Sequence, residues 1–135
     1  MRRRVFLGID CGTQSTKALL LEPVTGEELA VGRGEHDLIA RPDGTREQDP
    51  GWWTAATATA VREALAAAGP VEVAGIAVSG QQHGLVALDA ADRPVRPAKL
   101  WNDTSTAPEC AALTVAMGGV EAVHAATGNI FLSGY

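Results

Sequence analysis

Two short apolar runs, residues 5–9 and 17–21, flank the polar, glycine-bearing stretch Asp10-Cys11-Gly12-Thr13-Gln14-Ser15. Apolar runs on either side of a short turn read as a β-hairpin, here longer at its tip than the two-residue kind. No other feature restricts the fold so strongly: it sets two antiparallel strands at the start of the chain and a polar turn at a strand end. A second turn signal, Pro23-Val24-Thr25-Gly26-Glu27, leads to a third strand over 29–36. Segment 37–48 is polar and contains Pro42 and Gly44, so a loop is expected there.

Asp49-Pro50 then opens a helix, with Asp as the cap and Pro at a position where its missing N–H does no harm. Trp53, Ala56, Ala60, Val61, Ala64, Leu65 and Ala68 recur near the helical period, and Gly69-Pro70 ends the element. Residues 71–78 are rich in β-branched types and read as a buried strand. Further strands are expected at 85–88 and 97–101, around a turn at 89–94. Thr106 and Glu109 have capping-box spacing for a helix reaching about Met117, and a short helix is expected at 120–126. The order β-β-β-α-β-β-β-α predicts a mixed α/β domain with one main sheet.

The chain has 135 residues, which suits one domain of ordinary size; two domains closing around a substrate need about 100–200 residues each. It is 46% hydrophobic and 20% charged, the composition of a packed domain rather than a disordered one. With 16 acidic residues against 11 basic ones, it carries no footprint for nucleic acid, and Arg2-Arg3-Arg4 reads as a solvated cluster. The apolar run ending at Asp10 is too short for a signal peptide, and no stretch approaches the ~20 residues of a membrane span. Cys11 and Cys110 have no metal or redox spacing. Free thiols, a cytoplasmic location and no membrane or nucleic-acid partner are therefore expected.

The hairpin turn has the chemistry of an anion site. Gly12 permits a tight turn and close approach of backbone to a bulky anion. Thr13, Ser15 and Thr16 offer neutral donors, and Lys17 a positive charge. Asp10 repels phosphate and suits a hydrated Mg²⁺ instead. The same residues also suit a plain hairpin turn. The phosphate loop Gly-x₄-Gly-Lys-[Ser/Thr] is absent.

Residues 8–17 resemble the first phosphate loop of the superfamily of sugar kinases, heat-shock ATPases and actin. Three more segments narrow the resemblance to the FGGY carbohydrate kinases, and among them to the branch acting on D-xylulose. Glu47-Gln48-Asp49-Pro50-Gly51-Trp52-Trp53 resembles the family's Glu-Gln-Asp-Pro-x-x-Trp-Trp, with the Trp pair shifted by one place. Gly80-Gln81-Gln82-His83-Gly84 is similar to Gly-Gln-Met-His-Gly, and Leu100-Trp101-Asn102-Asp103 matches Leu-Trp-Asn-Asp. The motifs run in order over nearly the whole chain. The family's Arg shortly after this last motif is replaced by Thr104-Ser105-Thr106, and its catalytic Asp base and adenine-binding half lie further downstream than this sequence reaches.

The resemblance implies a ribonuclease H-like (actin-like ATPase, sugar kinase) N-terminal domain, with a mixed sheet and flanking helices. Residues 1–135 are then expected to be an incomplete first domain, lacking the second, nucleotide-side domain and inactive alone. The implied reaction moves the γ-phosphoryl group of MgATP to D-xylulose, giving D-xylulose 5-phosphate. Asp10 is implied as the catalytic, Mg²⁺-positioning carboxylate, and Gly12, Thr13, Gln14, Ser15 and Lys17 as phosphate-seating residues. Gln82, His83, Gly84, Asn102 and Asp103 are implied on the sugar side. Their amide, imidazole and carboxylate groups suit a polyhydroxylated ligand. For His83 a turn role competes, for Asp103 a capping role, and for Trp52 and Trp53 a core role. A homodimer is expected of the full-length enzyme. Gluconokinase, ribulokinase or glycerol kinase activity, a non-catalytic sugar-binding module, and a sugar-independent ATPase are the alternatives.

Overall fold

The computed structural model describes residues 2–134; the outer positions of the expected 1–135 domain, Met1 and Tyr135, lie outside the described residues. In chain order the elements are β1 (Arg3–Cys11), β2 (Ser15–Leu21), β3 (Glu28–Glu35), β4 (Ile39–Ala40), β5 (Arg46–Gln48), α1 (Pro50–Ala68), β6 (Val71–Gly80), β7 (Ala98–Lys99), α2 (Ala107–Ala116) and α3 (Val120–Thr127). They form two compact units. One comprises the N-terminal stretch up to Asp37 together with Asp49–Gln81, the other Leu38–Gln48 together with the stretch from Gln82 onward.

The first unit is a four-stranded sheet in the order β3-β2-β1-β6, with β1 antiparallel to β2 and parallel to β6. Strand alternation puts Val5, Leu7 and Ile9 of β1 and Ala18 and Leu20 of β2 in one buried cluster with Ala60 and Ala64 of α1. Burial of each large apolar side chain in this cluster contributes about 1.5–3 kcal/mol. The helix starts as its sequence predicts: the Asp49 carboxylate accepts from the Gly51 N–H at 2.7 Å, with Pro50 in the first turn. On β3, Gly32 and Gly34 admit α1 at a distance that a side chain would forbid. A Cβ on Gly32 would stand 2.0 Å from the Ala60 carbonyl oxygen. The Glu63 carboxylate of α1 accepts from the Arg33 N–H at 2.8 Å, occupying a donor on the edge strand β3.

The second unit holds a three-stranded antiparallel sheet, β4-β5-β7, together with α2 and α3. Here the sequence expectations need correction. Segment 37–48 is not wholly loop: β4 and β5 lie in it, because β5 finds its ladder partner in β7, some fifty residues away. The single main sheet becomes two sheets. The strand expected at 85–88 does not form; Leu88 makes one isolated bridge, to Pro94, whose missing N–H cannot extend a ladder. The strand expected at 97–101 shrinks to β7. Thr106 caps nothing with its side chain: its backbone (φ −94°, ψ 9°) is not in the extended conformation that a capping hydroxyl works from. Helix α2 has no buried residue, and α3 buries only Val123.

Candidate functional site: an acidic strand end, a glycine turn and a polar cluster

Asp10 lies on β1 in the alternate register from Leu7 and Ile9, which turns its carboxylate to the exposed side of the sheet. Directly across on β2 stands Lys17, and directly across on β6 stands Ser79. Carboxylate, ammonium and hydroxyl thus share one level of the sheet. They line a groove of about 450 Å³ with Gly8, Leu19 and Ala77.

The turn beside them is closed by the Gly12 N–H donating to the Ser15 carbonyl at 3.1 Å. A Cβ on Gly12 would stand 3.3 Å from that same oxygen, tighter than most side chains tolerate. Both flanks brace the turn: Gln81 N–H donates to the Cys11 carbonyl at 3.0 Å, and His36 N–H to the Gln14 carbonyl at 3.5 Å. Gln14 is exposed and Thr13 half-buried at the tip, while the Ser15 and Thr16 side chains are buried. Burial lowers the His36 pKa, opposed by a hydrogen bond to the Gly12 backbone and by the nearby Asp37 charge. Neither His36 nor Ser79 was singled out by sequence. Strand register alone brings Ser79 beside Asp10, and a lone histidine carries no spacing signal.

The residues expected on the sugar side all fall in the second unit. Gln82, His83 and Gly84 form an exposed bend, with His83 in the left-handed region at φ 55°. That conformation costs a non-glycine residue about 1–2 kcal/mol. His83 lines a cavity of about 170 Å³ with Leu85, Arg96, Pro97, Lys99 and Thr106. Asn102 is exposed, whereas Asp103 is buried. The Asp103 carboxylate accepts from the N–H of Arg46 (2.8 Å), the N–H and hydroxyl of Ser105 (2.9 and 2.6 Å) and the Lys99 ammonium (3.3 Å). Burial pushes its pKa up, but the bonds from Ser105, Arg46 and Lys99 outweigh that and hold it below the ordinary carboxylate value. Trp52 and Trp53 are half-buried on α1, and Trp53 lines a shallow groove there with Thr57 and Val61. Among the described residues, no three His, Cys, Asp or Glu side chains converge to cage a metal. A lone exposed carboxylate such as Asp10 matches the sparse protein ligation of Mg²⁺, which keeps water and phosphate oxygens for its other positions.

The mixed sheet with its flanking helix and turn is the fold of the sugar kinases, of the actin-like, ribonuclease H-like type. A solved xylulose kinase from Rhodospirillum rubrum superposes with a TM-score of 0.87 at 29% identity, over 97% of this chain and 27% of that one. Residues 5–135 match the N-terminal domain of the FGGY family of carbohydrate kinases, and the chain belongs to that family. Among curated relatives, it is 47% identical to a xylulose kinase of Haemophilus influenzae over 97% of this chain and 28% of the relative. It is 44% identical to a xylulose kinase of Streptomyces coelicolor over 93% of this chain and 25% of the relative. The chain thus spans about a quarter of the length of these relatives.

Proposed function

We propose that this chain is the part of a D-xylulose kinase that seats the transferred phosphoryl group and orients the sugar. The carrying observation is the level row Asp10, Lys17 and Ser79 beside the closed Gly12 turn. Identities of 44–47% to xylulose kinases support D-xylulose as the acceptor. In this reading Asp10 holds the Mg²⁺ of MgATP; the ion, when bound, neutralises charge on the phosphates. Gly12, Thr13, Gln14 and Ser15 supply a backbone concavity for phosphate oxygens, and Lys17 adds a fixed positive charge. Gln82 and His83 hydrogen-bond the hydroxyls of the sugar, and Gly84 lets the backbone approach it. Asn102 and Asp103 shape the turn next to that site. Because the chain spans only about a quarter of the length of these relatives, the chain alone is expected to turn nothing over. Two cysteines that are both free suit a cytoplasmic location.

The test is ADP release by the protein carrying this domain, with MgATP and D-xylulose, gluconate, glycerol or ribulose. D-Xylulose is expected to give the highest kcat/KM. Preference for another acceptor overturns the substrate, and equal ATP hydrolysis without any sugar overturns the kinase reading.

A further inference from the structure

Two carboxylates are buried in the unit built on β4, β5 and β7: Glu47 is 3% exposed and Asp103 1%. An ionised carboxylate removed from water costs several kcal/mol unless cations and donors surround it. Glu47 has Arg96 against one oxygen, and Arg41 3.9 Å from the other. Asp103 has the backbone donors of Arg46 and Ser105. Among the described residues, Lys99 is the one side chain whose charge meets both. Its Nζ lies 3.3 Å from Glu47 Oε1 and 3.3 Å from Asp103 Oδ2. It also donates to Ser105 Oγ at 2.7 Å, and that hydroxyl donates onward to Asp103 Oδ1 at 2.6 Å.

One ammonium therefore joins three pieces of chain: β5 through Glu47, β7 through its own backbone, and the turn after Leu100 through Asp103 and Ser105. The side-chain cation beside Asp103 is Lys99, four residues earlier in the chain. Lys99 also lines the cavity that His83 opens onto. A neutral, polyhydroxylated ligand binds best against a wall with no unbalanced charge, because a stranded carboxylate there would need its own counter-ion or water.

We propose that Lys99 is a positioning residue for the sugar side of the site. By balancing Glu47 and Asp103 together it fixes the Asn102-Asp103 turn and the cavity wall next to His83, in a form that takes a neutral polyol. The proposal rests on the sugar-binding reading of this unit. It is tested in the protein carrying this domain with Lys99→Met and Ser105→Ala, measuring KM for sugar and for ATP separately. Lys99→Met is expected to raise the sugar KM about tenfold, with the ATP KM unchanged. Ser105→Ala removes both hydrogen bonds of the relay, Lys99 Nζ to Oγ and Oγ to Asp103 Oδ1, and keeps both charges paired; it is expected to raise the sugar KM roughly threefold. It carries the test by itself if Lys99→Met does not fold. An unchanged sugar KM in a folded variant, or equal losses for sugar and ATP, overturns the role of Lys99. Wild-type preference for a sugar other than D-xylulose overturns the substrate assignment alone, and the same KM comparison is then made with the preferred sugar.

Discussion

Gly34 of β3 lies so close to Ala56 of α1 that a Cβ built on the glycine would stand 2.1 Å from the Ala56 carbonyl oxygen. The neighbour is helix backbone, which cannot swing aside as a side-chain tip could. Gly34→Ala is therefore expected to destabilise the first unit by about 1–3 kcal/mol through overpacking. Gly8→Ala, where a Cβ meets nothing within 4 Å, is expected to stay within about 0.5 kcal/mol of wild type. Urea denaturation of the two variants checks this, and equal stabilities would contradict the close packing.

Asp103→Ala leaves the Arg46 and Ser105 donors and part of the Lys99 charge without their acceptor in a buried place. A loss of about 3–5 kcal/mol is expected, the usual result of removing one partner of a buried charged cluster. Asn102→Ala, one residue earlier and exposed, is expected to change stability by less than about 0.5 kcal/mol. Guanidinium denaturation separates the two.

Acid should weaken the fold in two windows with different owners. Burial holds the His36 pKa below its ordinary value, so the unfolded chain takes up the proton first as pH falls below about 6.5. Stability is then lost from that pH downward, and His36→Gln is expected to flatten this step. The Asp103 pKa is also lowered, which for a carboxylate adds stability above about pH 4 that disappears as pH falls through the folded-state value. Unfolding free energies between pH 8 and 3, with NMR titration of the Asp103 carboxyl, distinguish the two. An Asp103 midpoint above about 4 would contradict the donor set.

The parts of the fold legible in the sequence were those decided locally. The hairpin around Gly12 and the Asp49-Pro50 helix start depend on residues a few positions apart, and both stand as expected. β5 was illegible because two of its three residues, Glu47 and Gln48, are buried polar groups. Apolar periodicity has no sign for a carboxylate whose counter-charges, Arg96 and Lys99, come from fifty residues downstream. The 85–88 segment misled in the opposite way: its apolar run is real, but Leu85 and Leu88 are exposed and Pro94 stops the ladder. Of the candidate site, the position of the Gly12 turn could be read from sequence. Ser79 beside Asp10 needed the β1–β6 register, and Lys99 between two carboxylates needed three-dimensional proximity.

The most direct measurement is the steady-state kinetics of Asp10→Asn in the protein carrying this domain. The carboxylate is exposed at a strand end, so the variant is expected to fold as wild type does. If the hairpin turn seats the transferred phosphoryl group, kcat for D-xylulose falls at least about a hundredfold while the sugar KM stays within roughly threefold. Near-normal turnover in a folded Asp10→Asn protein would contradict phosphoryl transfer at this turn.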